Sequence, residues 1–116
     1  MNQTTHLDLE LLQGYIDNLG KSIVQQMLDL YIGQSAIYLD EIAETVAIDK
    51  QELWQESCHK MKGAAGSVGL LIVHKKLVMI EKMEESETIK LIHLSELKAL
   101  NTAAYNDFSD WLSKAV

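Results

Sequence analysis

Apolar side chains recur every three to four residues along most of this chain, and the breaks in that rhythm fall at glycines and short polar runs. Five helices follow. The first is predicted from Thr5, where Thr5 and Asp8 form a T-x-x-D capping pair, to about Asn18, with Leu7, Leu11, Leu12 and Ile16 inward. The second runs from Lys21 to Ala47, its inward stripe read as Ile23, Met27, Leu30, Ile37, Ile42 and Val46, and Gly33 marks a close contact or a bend. The third starts at Asp49, with Glu52 completing a second capping pair, and reaches Val68, where Gly69 supplies a left-handed cap. The fourth covers Leu71 to Glu85, with Val73, Leu77 and Ile80 inward. After the polar turn of Glu84 to Glu87, the fifth runs from Ile89 to Lys114 and buries Leu94, Leu97, Ala104, Phe108 and Trp111. Met27, Met61, Met79 and Met83 fall at helical spacing and read as core. Long helices with short connections bury their stripes most simply as an antiparallel four-helix bundle. The expected fold is therefore all-α: such a bundle with a short additional N-terminal helix capping one end, forming one domain over residues 1–116.

Composition sharpens this picture and narrows the function. The chain has no proline, which suits uninterrupted helices. A net charge of −7 argues against nucleic-acid binding and against an anionic membrane surface. The single cysteine, Cys58, excludes an internal disulfide framework and reads as a small core residue in a reducing compartment. The N-terminal MNQTTHLDLE lacks a basic segment followed by an apolar run, and no apolar stretch of about 18 residues occurs. The expectation is a cytoplasmic domain.

One stretch resists the helical reading. In HKMKGAAGSVG, from His59 to Gly69, three glycines recur beside a histidine and two lysines. Each glycine inside a helix costs about 1 kcal/mol relative to alanine. On a wheel of about 100° per residue, Trp54, Ser57, Cys58, Met61, Ala64, Ala65 and Val68 form one apolar stripe, and His59 lies opposite its centre. Glu52, Gln55, Lys62, Gly63 and Gly66 fall near the histidine. Gly63 and Gly66 are then expected to clear the solvent face, so that another molecule can approach the imidazole.

A bare imidazole with a lysine one turn away suits phosphoryl transfer. Neutral imidazole is a good nucleophile near physiological pH, and the reaction demands positioning and charge stabilisation. Lys62 would set a positive charge beside an anion on the ring, and Lys60 is a solvated charge that could steer a partner. Three other readings compete. A kinase needs a glycine-rich nucleotide loop that is absent here. A carboxylate-bridged metal bundle would use Glu56-Ser57-Cys58-His59 as E-x-x-H but lacks a second such motif. A non-catalytic helical adaptor would use the glycine-rich face as a docking groove.

The same residues resemble the signature of histidine-containing phosphotransfer (HPt) domains, and the match is similar to the C-terminal HPt domain of Arc-type tripartite hybrid sensor kinases. The resemblance implies that His59 accepts a phosphoryl group from a receiver-domain aspartate and passes it to another. Lys62 would stabilise the phosphate, and Gly63, Gly66, Gln55 and Lys60 would meet the partner. Glu81 occupies the position of a side chain that holds the other imidazole nitrogen in some relatives; the alternative is a solvated glutamate after a core isoleucine. The implied partners are response-regulator receivers, whose acidic pocket carries the Mg²⁺, so no cofactor is expected on this chain. Val78, Met79, Leu71 and Ile72, with Lys75, Lys76 and Lys82, would add an apolar, locally basic patch. A monomer is expected, either free-standing or part of a hybrid sensor kinase.

Overall fold

A computed structural model of the chain describes residues 6–115. It contains five helices in the order α1 (Leu9–Leu19), α2 (Lys21–Ala47), α3 (Gln51–Ser67), α4 (Leu71–Glu81) and α5 (Glu87–Lys114). Helices α2 to α5 form the antiparallel bundle, with α2 against α3 and α5, and α4 against α3 and α5. The segment before α1 lies against the turn between α3 and α4: Asp8 N–H donates to the Gly69 carbonyl at 2.8 Å, and Leu71 N–H to that of His6 at 2.9 Å. Leu7 is buried there, and Tyr15 OH donates to the Ser67 carbonyl at 2.8 Å. The first helix thus closes the end of the bundle where α3 turns into α4. Among the described residues, no helix is long and apolar enough to cross a membrane.

The helix ends show which punctuation marks operate. Thr5 lies outside the described residues, and α1 begins later than expected, at Leu9, because the Asp8 side chain accepts from Leu11 N–H at 3.1 Å and is itself the N-cap. Asp49 does not cap α3. It stands at φ 53° as the left-handed residue after α2, with its N–H on the Val46 carbonyl at 3.2 Å and Lys50 N–H on that of Thr45 at 3.3 Å. Those two bonds satisfy the last carbonyls of α2, so the capping pair with Glu52 does not form and Lys50 precedes α3 without a side-chain cap. Gly69 repeats the motif after α3 at φ 72°, as the sequence predicts, with Gly69 N–H on Gly66 and Leu70 N–H on Ala65. Helix α4 stops at Glu81, four residues short of the expected Glu85. Ser86 then accepts from Ile89 N–H at 3.3 Å and starts α5.

The core stripe of α2 differs from the predicted one. Val24, Leu28, Tyr31, Ser35, Leu39, Ile42, Thr45 and Val46 are buried, while Ile23, Leu30 and Ile37 are exposed, Leu30 to 72%. The helix carries apolar residues on two faces, and the one that packs runs through polar residues that satisfy one another. Tyr31 OH donates to Asn101 Oδ1 at 2.6 Å, Asn101 Nδ2 to Ser35 Oγ at 3.0 Å, and Ser35 Oγ to the Ile32 carbonyl at 3.0 Å. This network ties α2 to α5, and burial pushes the Tyr31 phenol upward, with a smaller contribution from Tyr38. Gly33 marks no close contact: α2 continues through it, and a Cβ there would meet nothing within 4 Å. Met61 is buried, Met27 and Met83 are half-buried, and Met79 is exposed, so the methionines do not form one core set. In α5 Leu112 takes the core position, while Trp111 stays half-buried against Phe108, edge to face at 6.4 Å.

Candidate functional site

Helix α3 buries Trp54, Ser57, Cys58, Met61 and Ala65, the stripe read from the sequence, and so turns His59 outward. Its side chain is 72% exposed. It does not stand in the middle of an open face, however, because α4 packs along one edge of it. The ring Nδ1 lies 3.3 Å from Glu81 Oε1, on the last residue of α4, and Lys62 Nζ lies 2.9 Å from the same oxygen. Glu81 is buried and Lys62 largely so, with side-chain exposures of 12% and 21%. Glu81 is therefore not a solvated residue: it reaches from α4 to two α3 side chains one turn apart. Burial pushes its carboxyl upward, but the Lys62 hydrogen bond and charge, and after them those of His59, outweigh burial and hold it below its ordinary value of 4.5.

That carboxylate fixes the ring chemistry. Facing an ionised acceptor, a neutral ring donates from Nδ1, and its lone pair is then on Nε2. A second His–Lys–Glu group elsewhere has the opposite polarity. Lys76 Nζ, buried between α4 and α5, donates to His93 Nδ1 at 2.9 Å and to Glu96 Oε1 at 2.6 Å, with Glu96 farther from the ring at 3.4 Å. A neutral His93 must then carry its proton on Nε2, where it has no lone pair to offer. Lys76, read from sequence as part of an exposed basic patch, is instead buried in this pair.

The glycines divide differently from the expectation. At Gly63 an added Cβ would meet nothing within 4 Å, so that position is open surface. Gly66 is also exposed, but there an added Cβ would lie 3.1 Å from His74 Cδ2 of α4, so a side chain at this position requires the His74 ring to give way. Lys60 is exposed and Gln55 half-buried. On the side of α3 away from α4, the displaced stripe of α2 lines a groove of about 250 Å³, with Met27, Leu30, Gln34, Ala64 and Val68 in its walls. Sequence periodicity marks Met27 and Leu30 as buried, whereas Met27 is half-buried and Leu30 exposed, an apolar surface next to the glycine edge. On α4, Leu71, Val78 and Met79 are exposed and Ile72 is half-buried against the core. Cys58 is wholly buried, and burial, reinforced by the Glu81 charge and opposed by Lys90, pushes its thiol up to about 12. It is an inert core residue. Among the described residues, no three His, Cys, Asp or Glu side chains converge as a metal site.

No family model matches the chain, and no curated protein matches it. Among solved structures it is similar to the histidine-containing phosphotransfer domain of ArcB from Escherichia coli. The TM-score is 0.83 at 23% sequence identity, over 96% of each chain. The two share one fold. Five helices arranged as here are thus a known architecture, the all-α bundle expected from the sequence.

The Glu81 ion pair has a measurable consequence. A carboxyl whose folded value lies below its unfolded one stabilises the fold above the ordinary carboxylate range and loses that contribution as pH falls through the folded value. Glu81→Gln is therefore expected to be less stable than wild type at pH 7, with the difference closing on acidification below the ordinary carboxylate range as wild type protonates. Thermal midpoints across that range check this; parallel curves for the two proteins would count against it.

Proposed function

We propose that this domain is a phosphoryl carrier, with His59 taking a phosphoryl group from an aspartyl phosphate of a receiver domain and delivering it to the aspartate of another. The observation that carries this reading is an exposed imidazole whose Nδ1 is held by a buried carboxylate, leaving Nε2 free for attack. In the transfer the Nε2 lone pair forms the N–P bond as the P–O bond to the aspartate breaks, and the carboxylate departs as an anion. No proton has to move. The positive charge that develops on the ring is shared through Nδ1–H with Glu81, and the reverse step uses the same groups.

Lys62 is suited to the phosphoryl oxygens. An ammonium has three donors, so it can keep the Glu81 contact and still offer hydrogen bonds to the group on Nε2. The open edge at Gly63, and the apolar groove beyond it on α2 and α3, suit a docked protein surface, with Lys60 and Gln55 at its margin. The Mg²⁺ that such transfers use belongs to the receiver. That the ArcB domain of the same fold is named a histidine-containing phosphotransfer domain supports the reading. We read the domain as a carrier without kinase activity of its own, acting as a monomer whose histidine face stays open.

The test is direct. A receiver carrying labelled aspartyl phosphate is mixed with the domain, and the label is expected on the α3 peptide containing His59, acid-labile and alkali-stable. No transfer would refute the proposal and favour the adaptor reading, and label confined to another peptide would refute the assignment to His59.

A further inference from the structure

Lys90 occupies a core position of α5 with 6% of its surface exposed, and among the described residues no carboxylate pairs with it. A buried ammonium is costly, and an apolar side chain of similar length would serve the packing at lower cost. Two contacts hold its ammonium. Nζ donates to Gln51 Oε1 at 2.6 Å and sits 4.8 Å from the centroid of the Trp54 ring. Both partners are on α3, and both act at one place. Gln51, its amide oxygen turned to the ammonium, donates Nε2 to the Met83 carbonyl at 3.0 Å. Trp54 donates Nε1 to the Ile80 carbonyl at 2.9 Å. Helix α4 ends at Glu81, where the Ile80 carbonyl also accepts from Met83 N–H at 3.1 Å, and Met83 lies in the turn that follows. Carbonyls on either side of Glu81, those of Ile80 and Met83, thus accept from two α3 side chains that both contact Lys90.

We propose that Lys90 is a positioning residue for His59, acting through Gln51 and Trp54 to hold the end of α4 so that Glu81 reaches Nδ1. Its ammonium touches neither the imidazole nor the phosphoryl group. It selects the amide orientation of Gln51, because an oxygen facing the charge leaves the NH₂ group facing the Met83 carbonyl. The geometry of Glu81 then fixes the tautomer of His59. The kinetic consequence rests on the phosphotransfer reading, whereas the tautomer does not.

The experiment compares Lys90→Met, which keeps the stem and removes the charge, with Lys90→Arg, each alone and combined with Glu81→Gln. Nitrogen-15 NMR of the His59 ring gives the tautomer, and transfer from a phosphorylated receiver gives the rate. Lys90→Met is expected to lower the Nδ1–H share toward that of Glu81→Gln and to slow transfer roughly tenfold, less than the ~10²-fold of a full 1 Å misplacement. Lys90→Arg is expected to retain most of both. In the Glu81→Gln background the loss of Lys90 should cost less than about twofold, since the two act along one path. A wild-type tautomer in Lys90→Met, or an equal slowing with and without Glu81, would overturn the proposal. Should Lys90→Met not fold, Trp54→Phe, which removes the indole N–H and keeps a smaller aromatic ring, tests the same path with the same expected results. If the wild-type domain takes no phosphoryl group at all, the phosphotransfer reading fails, and the tautomer still decides the role of Lys90.

Discussion

Replacing His59 with glutamine is expected to abolish phosphoryl uptake and leave the fold intact. The side chain is 72% exposed and makes one contact, at 3.3 Å, with a carboxylate that keeps its stronger partner Lys62. Exposed substitutions of this kind shift stability by about 0.5 kcal/mol or less, so the thermal midpoint should barely move. The glutamine amide can still donate to Glu81, which preserves the local geometry while removing the nucleophilic nitrogen. The check is label transfer from a phosphorylated receiver, with the helical circular-dichroism spectrum measured alongside. Uptake by His59→Gln at the wild-type level would show that the reactive group lies elsewhere. The first alternative to examine would be His93, which shares the lysine and glutamate neighbours but has its Nδ1 occupied by an ammonium. In a neutral imidazole one nitrogen is the donor and the other the acceptor, so the charge facing Nδ1 decides whether Nε2 can attack. On the proposed reading a carboxylate leaves Nε2 of His59 free to attack, whereas an ammonium leaves Nδ1 of His93 an acceptor.

Much of the fold was legible in the chain because period and punctuation agree. The bounds of α2, the left-handed cap at Gly69 and the buried stripe of α3 all follow from spacing alone. Where two apolar faces share one helix, spacing cannot choose between them. Ile23, Leu30 and Ile37 make a more hydrophobic stripe than the one that packs, because the true core face of α2 includes Tyr31 and Ser35. Those residues are compatible with burial only through Asn101, which is distant in sequence. Lys90 was invisible for the same reason: its compensation comes from Gln51 and Trp54 on another helix. Asp49 illustrates a different limit, since one residue type serves both as N-cap and in left-handed turns. At the site, His59, Lys62 and Gly63 could be assigned to one side of α3 by the wheel. The packing of α4 along that side could not, and it is what separates Gly66 from Gly63 and brings Glu81 to the ring.

Gly63→Arg should separate docking from chemistry. A Cβ at this position meets nothing within 4 Å, so the helix accepts a side chain, and loss of a mid-helix glycine should stabilise the domain by up to about 1 kcal/mol. Transfer from a receiver is nonetheless expected to fall on the order of 10²-fold, because a long side chain one turn from His59 holds the two backbones apart and misaligns the reacting atoms. Attraction cannot account for such a loss, since an added cation should draw an acidic receiver pocket closer. A small phosphoramidate donor, which needs no docking surface, should still modify His59 at the wild-type rate. Alanine at the same position, with a single added carbon, should fall between wild type and arginine in receiver transfer. Undiminished receiver transfer in Gly63→Arg would mean that the open edge of α3 is not where the partner approaches. A parallel loss with the small donor would instead place the defect in the imidazole itself.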